Sequence, residues 1–190
     1  MKSSRLEAFS DGVFAVIITI MVLEMKVPQG TDLAALRPVL PVFLSYVFSF
    51  IFLGIYWNNH HHLMHAVTRI SGGTLWANLH LLFWLSLTPF VTGWMGQNDF
   101  AAWPVALYGI VLFCSAWAYA ILVWSLTSRG EKNPELAAAL GKDLKGKISI
   151  LIYAVAIPVA FARPLIACAL YAVVAITWLI PDRRIERRLG

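Results

Sequence analysis

A carboxylate stands at the opening of the first apolar run. The segment reads Arg5-Leu6-Glu7-Ala8-Phe9-Ser10-Asp11-Gly12 and then continues without a charge to Leu23. A charged side chain at membrane depth costs roughly 2.5–3.5 kcal/mol at a helix centre and less near the interface. Asp11 must therefore be paired, hydrogen-bonded or wetted. Asn78 and His80 fall early in the third apolar run, at the level where Ser10 and Asp11 should lie, and Trp57 can add an indole donor. Two chemistries fit these residues: a satisfied structural network, or a proton relay between Asp11 and His80. Structural pairing is the simpler. A second cluster, His60-His61-His62-Leu63-Met64-His65, puts His61 and His65 four apart on one helical face, a spacing that suits a metal. With five histidines in all and no accompanying intramembrane carboxylate pair, a membrane metalloenzyme is unsupported. The cluster reads as the wetted end of a helix, or as packing against the Ser10–Asp11 motif. No metal and no cofactor is expected.

The remaining residues of interest are apolar. At roughly 100° per residue, Val16, Ile20 and Leu23 lie at about 0°, 40° and 340°, with Thr19 at the stripe's edge near 300°. Ser10 falls near 120° and Asp11 near 220°, so these two face elsewhere. Taken alone, such a stripe is lipid-facing or core. Glu24 and Lys26, just beyond it, read equally as a cation-attracting mouth or a solvated helix end.

The elements that carry these residues follow from charge placement. Of 190 residues, 59% are hydrophobic and 13% charged, and the mean hydropathy is +0.72. No Asp, Glu, Lys or Arg occurs in 12–23, 38–68, 70–98, 100–128, 148–162 or 164–181. A spanning helix needs about 20 predominantly apolar residues. The expectation is an all-α, polytopic membrane protein with six transmembrane helices in a single domain over 1–190, the spans at about 6–27, 39–65, 73–95, 101–127, 147–161 and 165–181. Pro158 and the Arg163-Pro164 pair make the last two a tight hairpin. A soluble enzyme, a disulfide scaffold and a disordered tail are excluded. The first run has the length of a signal-peptide core, but it ends Leu23-Glu24-Met25-Lys26-Val27-Pro28 with no small-x-small cleavage site.

The net charge of +5 reflects topology. With the N-terminus inside, Lys2, Arg5, Arg69, Arg129, Lys132, Lys142, Lys145, Lys147, Arg183, Arg184, Arg187 and Arg188 are cytoplasmic, and only Lys26, Arg37 and Arg163 lie outside. Both termini are then cytoplasmic. The basic residues form no aromatic-interleaved patch, so no nucleic-acid partner is expected. The polar loop near Ser128–Gly146 is expected to carry a short amphipathic helix through Pro134–Leu144. Cys114 and Cys168 read as small buried hydrophobes, and most of the eight tryptophans as an interfacial belt. The chain has no internal repeat.

The Arg5-x-x-x-Phe9-Ser10-Asp11 opening, the aliphatic stretch ending Leu23-Glu24, and the Tyr56-Trp57-Asn58-Asn59-His60-His61 end of the second run together resemble the transmembrane protein 175 family. These are potassium channels of endolysosomes and their bacterial relatives. The resemblance covers essentially the whole chain and implies the single-repeat bacterial branch: a homotetramer in the plasma membrane, in contact with lipid and potassium ions, its pore lined by the first helix. Carried over by distance from Phe9-Ser10-Asp11, the narrowest ring falls on Val16, with further layers on Thr19 or Ile20 and on Leu23. The family usually has isoleucine or leucine where Val16 stands, so closure would shift towards Ile20 or Leu23. The Thr-Val-Gly-Tyr-Gly filter of ordinary potassium channels is missing; Val91-Thr92-Gly93 is not followed by Tyr-Gly. Selection would rest on pore width, dewetting and the Thr19 hydroxyls. The competing expectation is a proton-coupled carrier titrating on Asp11 and His80.

Overall fold

The computed structural model describes residues 3–67, 70–127 and 143–179, and these are helical throughout apart from short connections. α1 (Ser3–Leu23) is followed by a 3-10 segment, Leu33–Val39, and α2 (Leu40–His65). Next come α3 (Gly72–Ser86), α4 (Thr88–Gln97) and α5 (Ala102–Thr127). The last two are α6 (Leu144–Ala162) and α7 (Pro164–Leu179). With α3 and α4 end to end, the described helices form six rods. Five of the six are long and apolar enough to span a bilayer, and α7, at 16 residues, is shorter.

Short polar side chains cap the 3-10 segment, α3 and α6. Asp32 accepts from the Ala35 amide (3.2 Å), Ser71 from Thr74 (3.2 Å) and Asp143 from Gly146 (2.9 Å). Each caps an amide that the helix itself leaves unpaired. The third crossing, expected as one helix over 73–95, is broken at Leu87. Pro89 has no N–H to return to Leu85 and disfavours helical geometry at Thr88. α1 stops at Leu23, four residues short of the expected end, ahead of Val27-Pro28. The α6–α7 hairpin turns on a single residue, Arg163, whose amide bonds the Val159 carbonyl at 2.8 Å. The amphipathic helix expected over Pro134–Leu144 lies, but for Asp143 and Leu144, outside the described residues. So do Lys2, Arg69, Arg129, Lys132, Lys142, Arg183, Arg184, Arg187 and Arg188.

Two apolar cores hold the bundle. One gathers Phe14, Ile17 and Met21 of α1 against Leu53 and Met64 of α2, Leu81 and Leu85 of α3, and Leu122 of α5. The other packs Tyr108 of α5 against Tyr171 of α7, with Tyr153 of α6 beside it, and includes Met95 of α4. Small residues allow the closest helix approaches: a Cβ at Gly96 of α4 would press on the Val42 backbone of α2, and one at Gly109 on the Tyr171 ring. Lipid tails give helices no hydrophobic incentive to associate, so intimate packing of this kind carries more of the stability. Between the cores sits a buried hydroxyl cluster. Ser49 of α2 bonds Thr92 of α4 at 2.6 Å and Tyr108 of α5 at 3.0 Å.

Candidate pore face and the network behind it

α1 has two faces with opposite surroundings. Leu6, Ser10, Phe14, Ile17 and Met21 recur every three or four residues and are buried against the chain's other helices. On the far side Val16 is 54% exposed, Ile20 42% and Leu23 80%, and Thr19 is exposed as well. No other described element covers this stripe. It also runs further towards the N-terminus than the sequence suggested, because Arg5, Phe9 and Gly12 are exposed on the same side. The Arg5–Asp11 motif is therefore split. Its arginine and phenylalanine extend the uncovered face, while Ser10 turns inward and Asp11 sits half-buried on the flank.

Thr19 is the stripe's one hydroxyl. It donates back to the carbonyls of Val16 (2.9 Å) and Ala15 (3.0 Å). With the proton directed to the helix, the oxygen lone pairs remain available as acceptors, the chemistry a cation requires.

Behind the stripe, a line of donors crosses from α2 through α3 to α1. His60 Nε2 donates to Asn78 Oδ1 (2.7 Å), Asn78 Nδ2 to Ser10 Oγ (3.0 Å), and Ser10 Oγ to the Leu6 carbonyl (2.9 Å). An amide oxygen only accepts, so the His60 proton is on Nε2. All three side chains are fully buried. Asp11 makes a separate contact, accepting from Trp57 Nε1 at 2.9 Å.

His80 does not join this group. It is exposed on α3 and accepts a bond from its own helix neighbour, Trp84 Nε1, at 2.9 Å. The expected Asp11–His80 pair is not formed, and with it the carrier reading loses its titrating couple. His80 lies two residues, about 200° of helix, beyond Asn78. Once Asn78 faces α1, His80 must face away.

Sequence reasoning weighed packing against the Ser10–Asp11 motif for the histidine run as a whole and did not single out His60, which completes the Ser10–Asn78 network. Trp57 and His60, three residues apart, share one side of α2 and meet α1 and α3 together. Glu7 was also missed. Its Oε1 lies 2.9 Å from His61 Nδ1 and 3.4 Å from His65 Nε2. The signal lay in the charge itself, since Glu7 is one turn before Asp11 and equally in need of partners. Thr92 of the Val91-Thr92-Gly93 triplet is buried and bonded to Ser49. Glu24 and Lys26 are exposed past the end of α1.

Comparison with known proteins identifies the family. Residues 5–89 match the family model described as endosomal/lysosomal potassium channel TMEM175. That stretch contains every residue of the stripe and of the network behind it. The chain is 55% identical to a potassium channel of Chryseobacterium sp. (strain P1-3), covering 100% of this chain and 98% of the relative. It is 31% identical to a potassium channel of Streptomyces collinus, over 92% of this chain and 90% of the relative. The crystal structure of a lysosomal potassium-selective channel TMEM175 homolog from Chamaesiphon minutus superposes with a TM-score of 0.78 at 27% identity, covering 96% and 97% of the two chains. The fold, the motif and the full-length relatives agree, and they set the chain among channels and apart from enzymes: it belongs to the TMEM175 family.

Proposed function

We propose that the chain is a potassium-preferring cation channel of the plasma membrane, assembled as a homotetramer around the uncovered face of α1. The observation that carries this reading is the contrast between the two sides of one helix. A stripe of Val16, Thr19, Ile20 and Leu23 has no cover among the described residues of its own chain, and four copies turned inward would enclose a narrow path. Val16 to Leu23 spans about 10 Å of helix rise, room for two or three rings. An aliphatic ring of that kind sheds water readily and closes the path, because an ion passing it gives up its hydration. The valine at position 16 makes that ring wider, so Ile20 and Leu23 form the tighter closure. Thr19 supplies the acceptor layer on which potassium preference would rest. Asp11 has a structural part here, held by Trp57 and away from the permeant ion.

The relatives named potassium channels support the choice of ion, and the lysine and arginine distribution supports cytoplasmic termini. The test is reconstitution into liposomes with a potassium flux assay run against sodium and caesium. Potassium flux without a driving co-substrate, enhanced by Ile20→Asn, is expected. Equal flux of all three ions, or none in a well-assembled preparation, would overturn the reading.

A further inference from the structure

One cluster outside the stripe and its network brings together side chains with metal-ligand chemistry. Glu7, on the second turn of α1, meets His61 and His65 on the last turns of α2. The ligand atoms of the three residues, one from each, all lie within 4.8 Å of one another. The imidazole rings are 4.4 Å apart by centroid and inclined at 66°, so both can turn a nitrogen to one point. In a tetrahedral zinc site, with metal–ligand bonds of about 2.0–2.2 Å, neighbouring donors stand roughly 3.3–3.5 Å apart. The observed separations from Glu7 Oε1, 2.9 and 3.4 Å, lie within a few tenths of an ångström of this, and the two imidazole donors stand within 4.8 Å of one another, to be drawn together on binding.

Position and donor type narrow the ligand. Glu7 is mostly covered, at 17% side-chain exposure, whereas His61 and His65 are 37% and 64% exposed, so the site opens to the aqueous or headgroup side. Two imidazoles and one carboxylate favour a borderline first-row cation over Mg2+ or Ca2+, which want oxygen ligands throughout. Three protein donors leave a fourth position for water. Trp57 stacks on His61, with centroids 5.8 Å apart and planes at 25°, and holds that ring while its indole bonds Asp11.

We propose that Glu7, His61 and His65 form a Zn2+-class site that ties the second turn of α1 to the end of α2. The proposal does not depend on which face of α1 meets the permeant ion. It is tested on the full chain, purified without a polyhistidine tag, by Zn2+ titration against a competing fluorescent chelator. One Zn2+ per chain is expected, with Mg2+ unable to compete. Glu7→Gln, His61→Ala and His65→Ala should each weaken binding at least about tenfold, since each removes one of three donors. His62→Ala and His80→Ala should leave it unchanged. Failure of the wild-type chain to bind Zn2+, or equal affinity in the three ligand variants, would overturn the proposal. Should a ligand variant fail to fold, Co2+ bound to the wild-type chain decides. An intense four- or five-coordinate visible spectrum supports the site, and a weak octahedral one refutes it.

Discussion

Ile17 and Ile20 stand three residues apart on α1, yet Ile17 is 3% exposed and Ile20 42%. The same side chain thus serves one helix in two surroundings, and the same substitution should separate them. Ile20→Asn and Leu23→Asn should wet the candidate rings and raise single-channel conductance. Ile17→Asn should instead lower thermal stability, by about 1–3 kcal/mol for a buried polar group without a partner. Val22→Asn, on the flank of the stripe, should leave conductance unchanged. Single-channel recording with size-exclusion chromatography of the four variants checks all of this. If Ile17→Asn opened the path while Ile20→Asn and Leu23→Asn did nothing, the assigned face would be wrong.

Thr19 offers a chemical test of ion preference. Thr19→Val keeps the shape and removes the acceptor oxygen, so potassium-over-sodium discrimination should fall while flux persists. Thr19→Ser restores the oxygen and should recover it. Reversal potentials in bi-ionic conditions measure both.

The Asp11–Trp57 bond should show as a coupling. Asp11→Ala and Trp57→Phe each remove one side of a hydrogen bond to a charged group, worth about 1.5–3 kcal/mol. Lower melting temperature and poorer assembly are expected from either, and the double variant should lose little more than the worse single. Additive losses would show that the two side chains act separately. A well-assembled Asp11→Ala channel with altered ion preference would move the carboxylate into the ion path.

Glycine-to-alanine changes should have opposite signs at two sites. At Gly54 a Cβ meets none of the described residues within 4 Å, so alanine should stabilise α2 by up to about 1 kcal/mol. At Gly96 the new methyl would press on the Val42 backbone and force α2 and α4 apart, costing about 1–3 kcal/mol. Thermal melts in detergent compare the two directly.

Much of this was legible from one sequence because the membrane enforces it. Charge-free runs located the crossings, and roughly 100° per residue separated Val16 and Ile20 from Ser10. What periodicity could not supply was partnership between helices. Asn78 and His80 were equally plausible partners for α1 until the helix phase of α3 was known. His60 was hidden inside a run of histidines, of which His61 and His65 face Glu7 and His60 faces the core. The Ser49–Thr92–Tyr108 cluster joins three separate apolar runs, and each of its hydroxyls looked innocuous in its own run. Pro89 carries a signal for the α3–α4 break that charge-free hydropathy over 73–95 does not register.

The one-way line of donors from His60 through Asn78 and Ser10 to the Leu6 carbonyl works like a key in a slot. Ser10 reaches Asn78 at only one azimuth of α1, so the helix cannot spin about its axis without leaving buried polar groups unmatched. In the proposed channel, a motion that widens the path without breaking this line would keep that azimuth, by leaning or sliding α1, and would carry α3 along at the level of Asn78. In the proposed assembly the same residues would then stay turned to the axis as the path widens, and a gate built on them would work by changing its diameter rather than its lining.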